Sequence, residues 1–340
     1  MAVNRREFLT AAVAAAATAP PVRAALLGTQ HSHARDKLRV MQQSPDFEVA
    51  GVCEPDPEAR QAQQKSSRYG GVRWLSEEEL LGDAGIQLVV AECRTWEAIP
   101  WGWKVIRAGK HLHLEKPPGD RLAPFRQLVE EAQRRKLLLQ MGYIWRFHQG
   151  LNAAIESARR GDLGEVFLVR GTINTDISAE RRAELARYRG GMMLELGCHL
   201  IDRVVQWLGR PKQVRSWLRH DSSAGDKLAD NTLAALEYDK TLAVISSAAR
   251  QAGASQHRSF EILGTDGSIL LQPLEPGAKL RVTTREGDKP GPRELSIVPP
   301  VPRYVGDLQA LARAIQTGQP LQFSYDHELL LQETLERVCG

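Results

Sequence analysis

The sequence predicts an α/β protein of two domains, a parallel sheet interleaved with helices followed by an α+β domain on a mostly antiparallel open sheet. Three observations carry this. The chain has 340 residues, more than one compact core usually holds. From residue 22 to 141, short apolar runs alternate with helical stretches at the spacing of βαβ units. After about residue 143, strand-like runs separated by tight turns dominate.

Each element has its own signal. Val22 to Leu27 is an apolar run ending in Gly28, and a polar helical stretch covers Ala34 to Gln43. Phe47 to Cys53 is a second strand that ends in acid at Glu54. Ser76 with Glu79 three residues on is a capping box that opens a short helix. Ile86–Ala91, His111–Glu115 and Leu137–Met141 read as further strands, with helices at about Trp96–Ala108 and Pro124–Lys136 between them. Near-continuous apolar strands are what a sheet covered on both faces requires. Beyond the boundary, a helix over Leu151–Arg160 leads through Gly161-Asp162-Leu163-Gly164 to a strand from Val166. A helix near 192–208 precedes strands at Asn231–Tyr238, Thr241–Ala249, Ser259–Leu263 and Ser268–Leu271. The Pro- and Gly-rich region 287–302 reads as a loop, and helices near 303–317 and 326–338 close the chain. The predicted domains are 22–142 and 143–340, with 1–21 set apart.

Hydrophobic residues make up 42% and charged residues 25%, with a net charge of +4. No basic stretch with interleaved aromatics points to nucleic acid, and no apolar run approaches a membrane span of about 20 residues. Cys53, Cys93, Cys198 and Cys339 form no CxxC pair and suggest neither a disulfide framework nor a zinc site. The N-terminus differs from the rest. Asn4-Arg5-Arg6-Glu7-Phe8-Leu9-Thr10 before an alanine-rich stretch resembles a twin-arginine export signal. It implies passage through the twin-arginine machinery to the periplasm; a short amphipathic helix in a cytoplasmic protein is the plain alternative. Pro20 disfavours cleavage directly after Ala19.

The chemistry begins at the first strand. A dinucleotide needs a glycine-rich turn before a helix N-terminus. Here the turn is Gly28-Thr29-Gln30-His31-Ser32-His33-Ala34, with only the first glycine of GxGxxG. Glu54 ends the second strand 26 residues after Gly28, where a carboxylate accepts ribose hydroxyls and repels a 2′-phosphate, which favours NAD over NADP. A solvated loop acid before Pro55 is the plain alternative for Glu54. Glu195, His199 and Asp202 fall at i, i+4 and i+7 on one face of the predicted helix. Three ionisable groups in line are either a solvated edge or a site.

Ala108-Gly109-Lys110-His111-Leu112-His113-Leu114-Glu115-Lys116-Pro117 resembles the AGKHVxxEKP run of the Gfo/Idh/MocA oxidoreductases. Gly142-Tyr143-Ile144-Trp145-Arg146-Phe147 resembles that family's GYxxRF segment, Gly161-Asp162-Leu163-Gly164-Glu165 its GxLGE turn, and Gly190 to Asp202 its GGGxLxDxGxHxxD helix. The resemblance runs in order from about residue 22 to the C-terminus. It implies a Rossmann domain, a substrate domain with an open sheet, a homo-oligomer, and hydride transfer between nicotinamide and a sugar or polyol carbon. It further implies catalytic roles for Lys116, Glu195 and His199, with Gly28, Thr29, Gln30, Glu54 and Glu115 at the cofactor. His199 is expected to take the hydroxyl proton, its ordinary pKa being near neutral. Lys116 is expected to polarise the oxygen, and Glu195, in the family's aspartate position, to orient substrate or His199.

The sequence also departs from the family. Gln30 and His33 replace glycines, and Cys93-Arg94-Thr95 replaces a Thr-Pro-Asn stretch beside the nicotinamide. Trp96, Trp101 and Trp103 follow, suited to stacking on a sugar or to helix packing. An exported enzyme finds little free NAD, so a non-dissociable cofactor and a closed redox cycle are expected. A redox-assisted glycosidase and a non-catalytic carbohydrate-binding descendant are the alternatives. His31-Ser32-His33 resembles the HxH metal ligands of amidohydrolase barrels, but the later sequence lacks the repeated βα units of a barrel, so no metal is expected.

Overall fold

The computed structural model describes residues 19–286, 289–296 and 302–340. The arginine pair read as an export signal lies outside the described residues. A five-stranded parallel sheet has the order β2-β1-β3-β4-β5, from Val22–Leu27 (β1), Phe47–Cys53 (β2), Leu88–Ala91 (β3), His111–Leu114 (β4) and Leu139–Met141 (β5). All four residues of β3 are buried, as a central strand covered on both faces must be. Helices Ala34–Gln43 (α1), Pro57–Gln64 (α2), Glu77–Gly82 (α3), Ala98–Arg107 (α4) and Leu122–Arg134 (α5) connect the strands. The Ser76–Glu79 capping box forms as its spacing predicts. Helix α2 begins by another route, with Asp56 accepting from two backbone N–H groups and Pro57 at the first turn. The order reverses between β1 and β3, so the crevice at the carboxyl ends of these strands is where a ligand of such a sheet binds.

The second sheet has eight strands in the order β13-β12-β11-β10-β6-β9-β8-β7. They are Val166–Thr172 (β6), Gln213–Arg219 (β7), Asn231–Glu237 (β8), Leu242–Ala248 (β9), Ser259–Gly264 (β10), Gly267–Leu271 (β11), Lys279–Glu286 (β12) and Lys289–Ser296 (β13). Only β6 and β9 pair in parallel. The expected loop at 287–302 is corrected over 289–296: Lys289–Ser296 is a strand paired antiparallel with β12. One face of this sheet packs on Gln149–Arg159 (α6) and Cys198–Leu208 (α8); a short helix, Ala179–Leu185 (α7), lies between β6 and α8. Among the described residues no helix is long and apolar enough to cross a membrane.

The last two helices tie the domains together. Val305–Thr317 (α9) returns to pack on α1 and β1, and Tyr325–Cys339 (α10) packs on α5 and α8. Arg146, on the short helical turn after β5, is the pin of this junction. Its guanidinium is buried, grips Asp202 of α8 with a closest contact of 2.8 Å, and reaches Glu328 of α10 at 2.5 Å. It also lies 4.7 Å from the Tyr143 ring centre and 4.4 Å from that of Phe323. His327 adds a contact to Asp202 at 2.8 Å. Burial opposes the charge on Asp202, but Arg146 and His327 outweigh it and hold the carboxyl far below its ordinary range. Removing one partner of a buried ionic network strands the others without compensation. Arg146→Met is therefore expected to lower unfolding stability by about 3–5 kcal/mol, read from the urea midpoint. A loss within the scatter of surface substitutions would show that the pin is dispensable.

Candidate functional site

The crevice is built from strand ends. Gly28 closes β1 with φ of +83°, a left-handed conformation, and a Cβ there would lie 2.8 Å from the carbonyl oxygen of Glu92. Glycine is required at that point both for the turn and for the close approach of the chain after β3. Glu54, at the end of β2, is buried, and its carboxylate faces the turn. One oxygen accepts from the N–H and hydroxyl of Thr29 at 2.7 Å, and the other from the N–H of Asp56 at 3.0 Å. The acid that sequence spacing placed at a ribose is thus also the internal brace of the turn.

Lys116 follows β4 and crosses to the second domain. Its buried ammonium donates to the backbone carbonyl of Glu195 at 2.7 Å and lies 3.6 Å from the carboxylate. Glu195 stands on a π-helical turn, Met193–Gly197, and its other oxygen accepts from Arg181 of α7 at 2.8 Å. Burial pushes the Glu195 carboxyl up; Lys116 and Arg181 outweigh it and hold it at about 2. Burial likewise works against the Lys116 charge, and Glu195 reverses the balance, so the ammonium is held above its ordinary range.

His199 opens α8 just beyond the π turn. It is buried, its Nδ1 has no hydrogen-bond partner among the described residues, and its ring centre lies 5.9 Å from that of Tyr143 and 6.0 Å from that of Trp145. Burial, and after it the Lys116 ammonium, drive its pKa well below the ordinary 6.5. The near-neutral pKa behind the expected role of His199 is its ordinary value, and its surroundings here favour the neutral imidazole. The single polar face is corrected. The π turn sets Glu195 out of α-helical register, and Asp202 is drawn into the Arg146 pin instead of joining Glu195 and Lys116.

Beneath Lys116 lies a cluster the sequence did not bring together. Lys37 of α1 is fully buried, and its ammonium reaches Glu92 at 2.6 Å and Glu115 at 2.5 Å. His31 contacts Glu92 at 3.1 Å and His33 contacts Glu115 at 3.2 Å, both through Nδ1. Gly142 makes room, since a Cβ there would sit 3.0 Å from a Glu115 oxygen. Burial works against the Glu115 charge, but Lys37 first and then the two histidines hold its carboxyl well below the ordinary range. Lys37 was signalled by its place at i+3 on the Ala34–Leu38–Met41 stripe that α1 buries. Glu92 was signalled by its acid at the end of the apolar run of β3. Arg181, far from the motifs, carried no signal. His111 and His113 stay apart from the cluster, His111 accepting from the N–H of Leu138 and His113 meeting Asp307 at 3.1 Å.

The turn fits a dinucleotide in part. Gly28 and the N-terminus of α1 supply the backbone approach and positive helix end that a diphosphate needs. A carboxylate has about four acceptor sites, so Glu54 keeps capacity for a ribose hydroxyl. The cleft among Gly28, Gln30, Glu54, Asp56, Arg94 and Glu97 has a volume of only about 20 Å³, so an adenosine enters only if side chains such as Gln30 and Arg94 swing out. A larger cavity of about 710 Å³, lined by Trp145, His148, Arg258, Glu275, Arg303 and Tyr304 among others, opens nearby. Lys116, Glu195 and His199 do not line it; Trp145 does, and is the bridge to His199. Of the three tryptophans, Trp101 is buried in packing, whereas Trp96 is partly exposed between Arg94 and Arg187.

Comparison with known proteins follows the same division of the chain. Residues 22–143 match an oxidoreductase family with an NAD-binding Rossmann fold, and residues 151–270 match the GFO/IDH/MocA C-terminal domain. A dTDP-3,4-didehydro-2,6-dideoxy-alpha-D-glucose 3-reductase of Streptomyces violaceoruber is 28% identical over 223 residues, 64% of this chain and 63% of that enzyme. The scyllo-inositol 2-dehydrogenase (NAD(+)) of Bacillus subtilis is 24% identical over 66% of each chain. The matched stretches thus span just under two thirds of these relatives. The solved aldose-aldose oxidoreductase of Caulobacter crescentus, in complex with glycerol, superposes with a TM-score of 0.78 at 21% identity, covering 93% of this chain and 96% of that one. At that identity the likeness is one of fold.

The pinned Glu195 gives a test of the site's electrostatics. Its carboxyl is held at about 2, below the ordinary 4.5, so its share of stability is complete above pH 4.5 and is lost as pH falls from there toward 2. In Glu195→Gln this part of the acid limb is expected to vanish from unfolding free energies measured across that window. An unchanged acid limb would show that Glu195 is not held by Lys116 and Arg181.

Proposed function

Because the chain belongs to the Gfo/Idh/MocA oxidoreductase family, we propose that it transfers hydride between a nicotinamide cofactor and a CH–OH carbon of a sugar, polyol or glycoside, with Lys116 at the reacting oxygen. The observation that carries this is the Lys116 ammonium, buried between the domains and held charged by Glu195. In this proposal Gly28, Thr29, Gln30, Glu54 and Glu115 hold the cofactor, with NAD favoured over NADP by the Glu54 carboxylate. When bound, the nicotinamide supplies the hydride acceptor or donor. The chain's own residues manage charge and protons. Lys116 donates a hydrogen bond to the substrate oxygen and stabilises negative charge on it. Glu195 keeps that ammonium charged and, braced by Arg181, fixes its direction. His199, neutral and desolvated, accepts the hydroxyl proton when the carbon is oxidised.

A sugar substrate is in keeping with the names of the relatives, which reduce or oxidise sugars and an inositol. In the proposed setting the cofactor stays bound and is regenerated in place, because the twin-arginine-like segment points to export. Transient oxidation during cleavage of a glycoside is the second reading; the large cavity beside Trp145 has room for a second sugar unit. A homo-oligomer is proposed because the outward face of the second sheet carries Trp217 and Leu242, both about half exposed.

Lys116→Ala and His199→Ala are expected to abolish turnover of aldoses or polyols while nucleotide binding persists. Near-normal turnover in both would sink the assignment. Since His199 is neutral well below pH 6.5, the acid limb of kcat/KM is expected below that pH. An acid limb at or above 6.5 in the wild-type chain would overturn this role. Protein recovered from the periplasm is expected to carry a nucleotide detectable by mass spectrometry after denaturation, and light scattering of that sample to give at least twice the chain mass. Nucleotide-free protein that binds no added NAD would favour a non-catalytic carbohydrate-binding descendant.

A further inference from the structure

We infer that His31, His33, Glu92 and Glu115 form a binding site for one divalent transition-metal ion at the carboxyl ends of β1, β3 and β4. The site goes beyond the hydride chemistry above, and its residues were expected to hold no metal. One donor atom from each of the four residues lies within 4.8 Å of the others. Tetrahedral donors at about 2.1 Å from an ion are about 3.4 Å apart, so the cluster closes on an ion by shifts of about 1 Å. Two imidazole nitrogens and two carboxylate oxygens suit zinc, cobalt or manganese better than calcium.

The surroundings already have the form of a ligand set with its supports. The His31 and His33 rings pack edge to face with centres 4.5 Å apart, and Tyr304 lies 5.0 Å from His33. Each imidazole directs Nδ1 to a different carboxylate. Lys37 takes the Oε1 atom of Glu92 and leaves Oε2 on the side of His31. Lys37 therefore acts as an outer partner to Glu92, the arrangement that tunes metal ligands elsewhere, whereas on Glu115 it shares Oε2 with His33.

Charge supplies the reason for an ion. The two carboxylates of Glu92 and Glu115 face the single ammonium of Lys37 in a buried setting, so one carboxylate charge is left for a further cation to answer. The competing arrangement makes Lys37 the only cation and leaves the histidines as hydrogen-bond donors.

The test uses the full chain, stripped with a chelator and titrated with Co(II), followed by calorimetry and by the visible absorption of the bound ion. One equivalent is expected, displaced by Zn(II). His31→Ala and His33→Ala are each expected to weaken binding by about 10-fold or more. His111→Ala, on the same sheet but outside the cluster, and Lys116→Ala, which removes turnover in the function proposed above, are both expected to retain the ion. His33→Gln replaces His33→Ala if the alanine variant does not fold by circular dichroism. Binding well below one equivalent to the wild-type chain, or equal binding in the histidine variants, would overturn the site and leave Lys37 as its only cation.

Discussion

The buried contact of Arg146 with Asp202 and Glu328 is the constraint on which the crevice depends. It joins the segment after β5 to α8 and α10, so it sets how the second domain sits over the strand ends of the first. Glu195 and His199 are carried by the start of α8 and the turn before it, whereas Lys116 is carried by β4. Their meeting is a consequence of that pin. A bidentate guanidinium suits the role because its planar fork satisfies two carboxylates at once and does not lose its charge. The flanking Tyr143 and Phe323 exclude water from it, which strengthens each contact and makes loss of any member expensive.

A second order is imposed by alternating charge. Lys37 meets Glu115; Glu115 accepts from the backbone N–H of Lys116; the Lys116 ammonium meets Glu195; and Glu195 meets Arg181. The line crosses from the buried face of α1 to α7 of the other domain. Each carboxylate is kept ionised by neighbours on both sides despite its burial, and each cation is kept charged in turn. Lys116 is consequently a fixed positive charge. That suits an oxygen on which negative charge develops, and it adds to the burial that already lowers the pKa of His199.

Much of this was legible in the sequence where local signals and tertiary demands agree. The Ser76–Glu79 box, the apolar strands of the first sheet and the limits of α1 follow from rules acting over a few residues. Lys116 with Glu195 and His199 followed from ordered motifs. What failed was inference that assumed regular geometry. Asp202 falls at i+7 from Glu195, yet one π turn between them breaks the count, and the stronger field of Arg146 claims the acid. The glycines and prolines at 289–296 suggested a loop, but pairing with β12 supplies the hydrogen bonds that local propensity does not. Arg181 reaches the site through long-range packing, which no short spacing encodes.

The degraded glycine turn takes on a physical sense in this light. In a dinucleotide-binding turn, glycines leave space for phosphates beside the backbone. Here the strand ends bring together side chains that carry charge of their own: two histidines on the turn, an acid after β3 and a lysine from α1. Such a group is costly to bury unless its charges are matched. With Lys37 alone the match is one positive charge against two negative, and the Glu115 carboxyl is nevertheless kept ionised well below its ordinary range. The two carboxylates thus add negative charge at the strand ends, beside the backbone approach at Gly28 that a diphosphate needs. Gln30 and His33, where the family has glycine, thus stand at the strand ends while Gly28 and Glu54 still shape the turn around them.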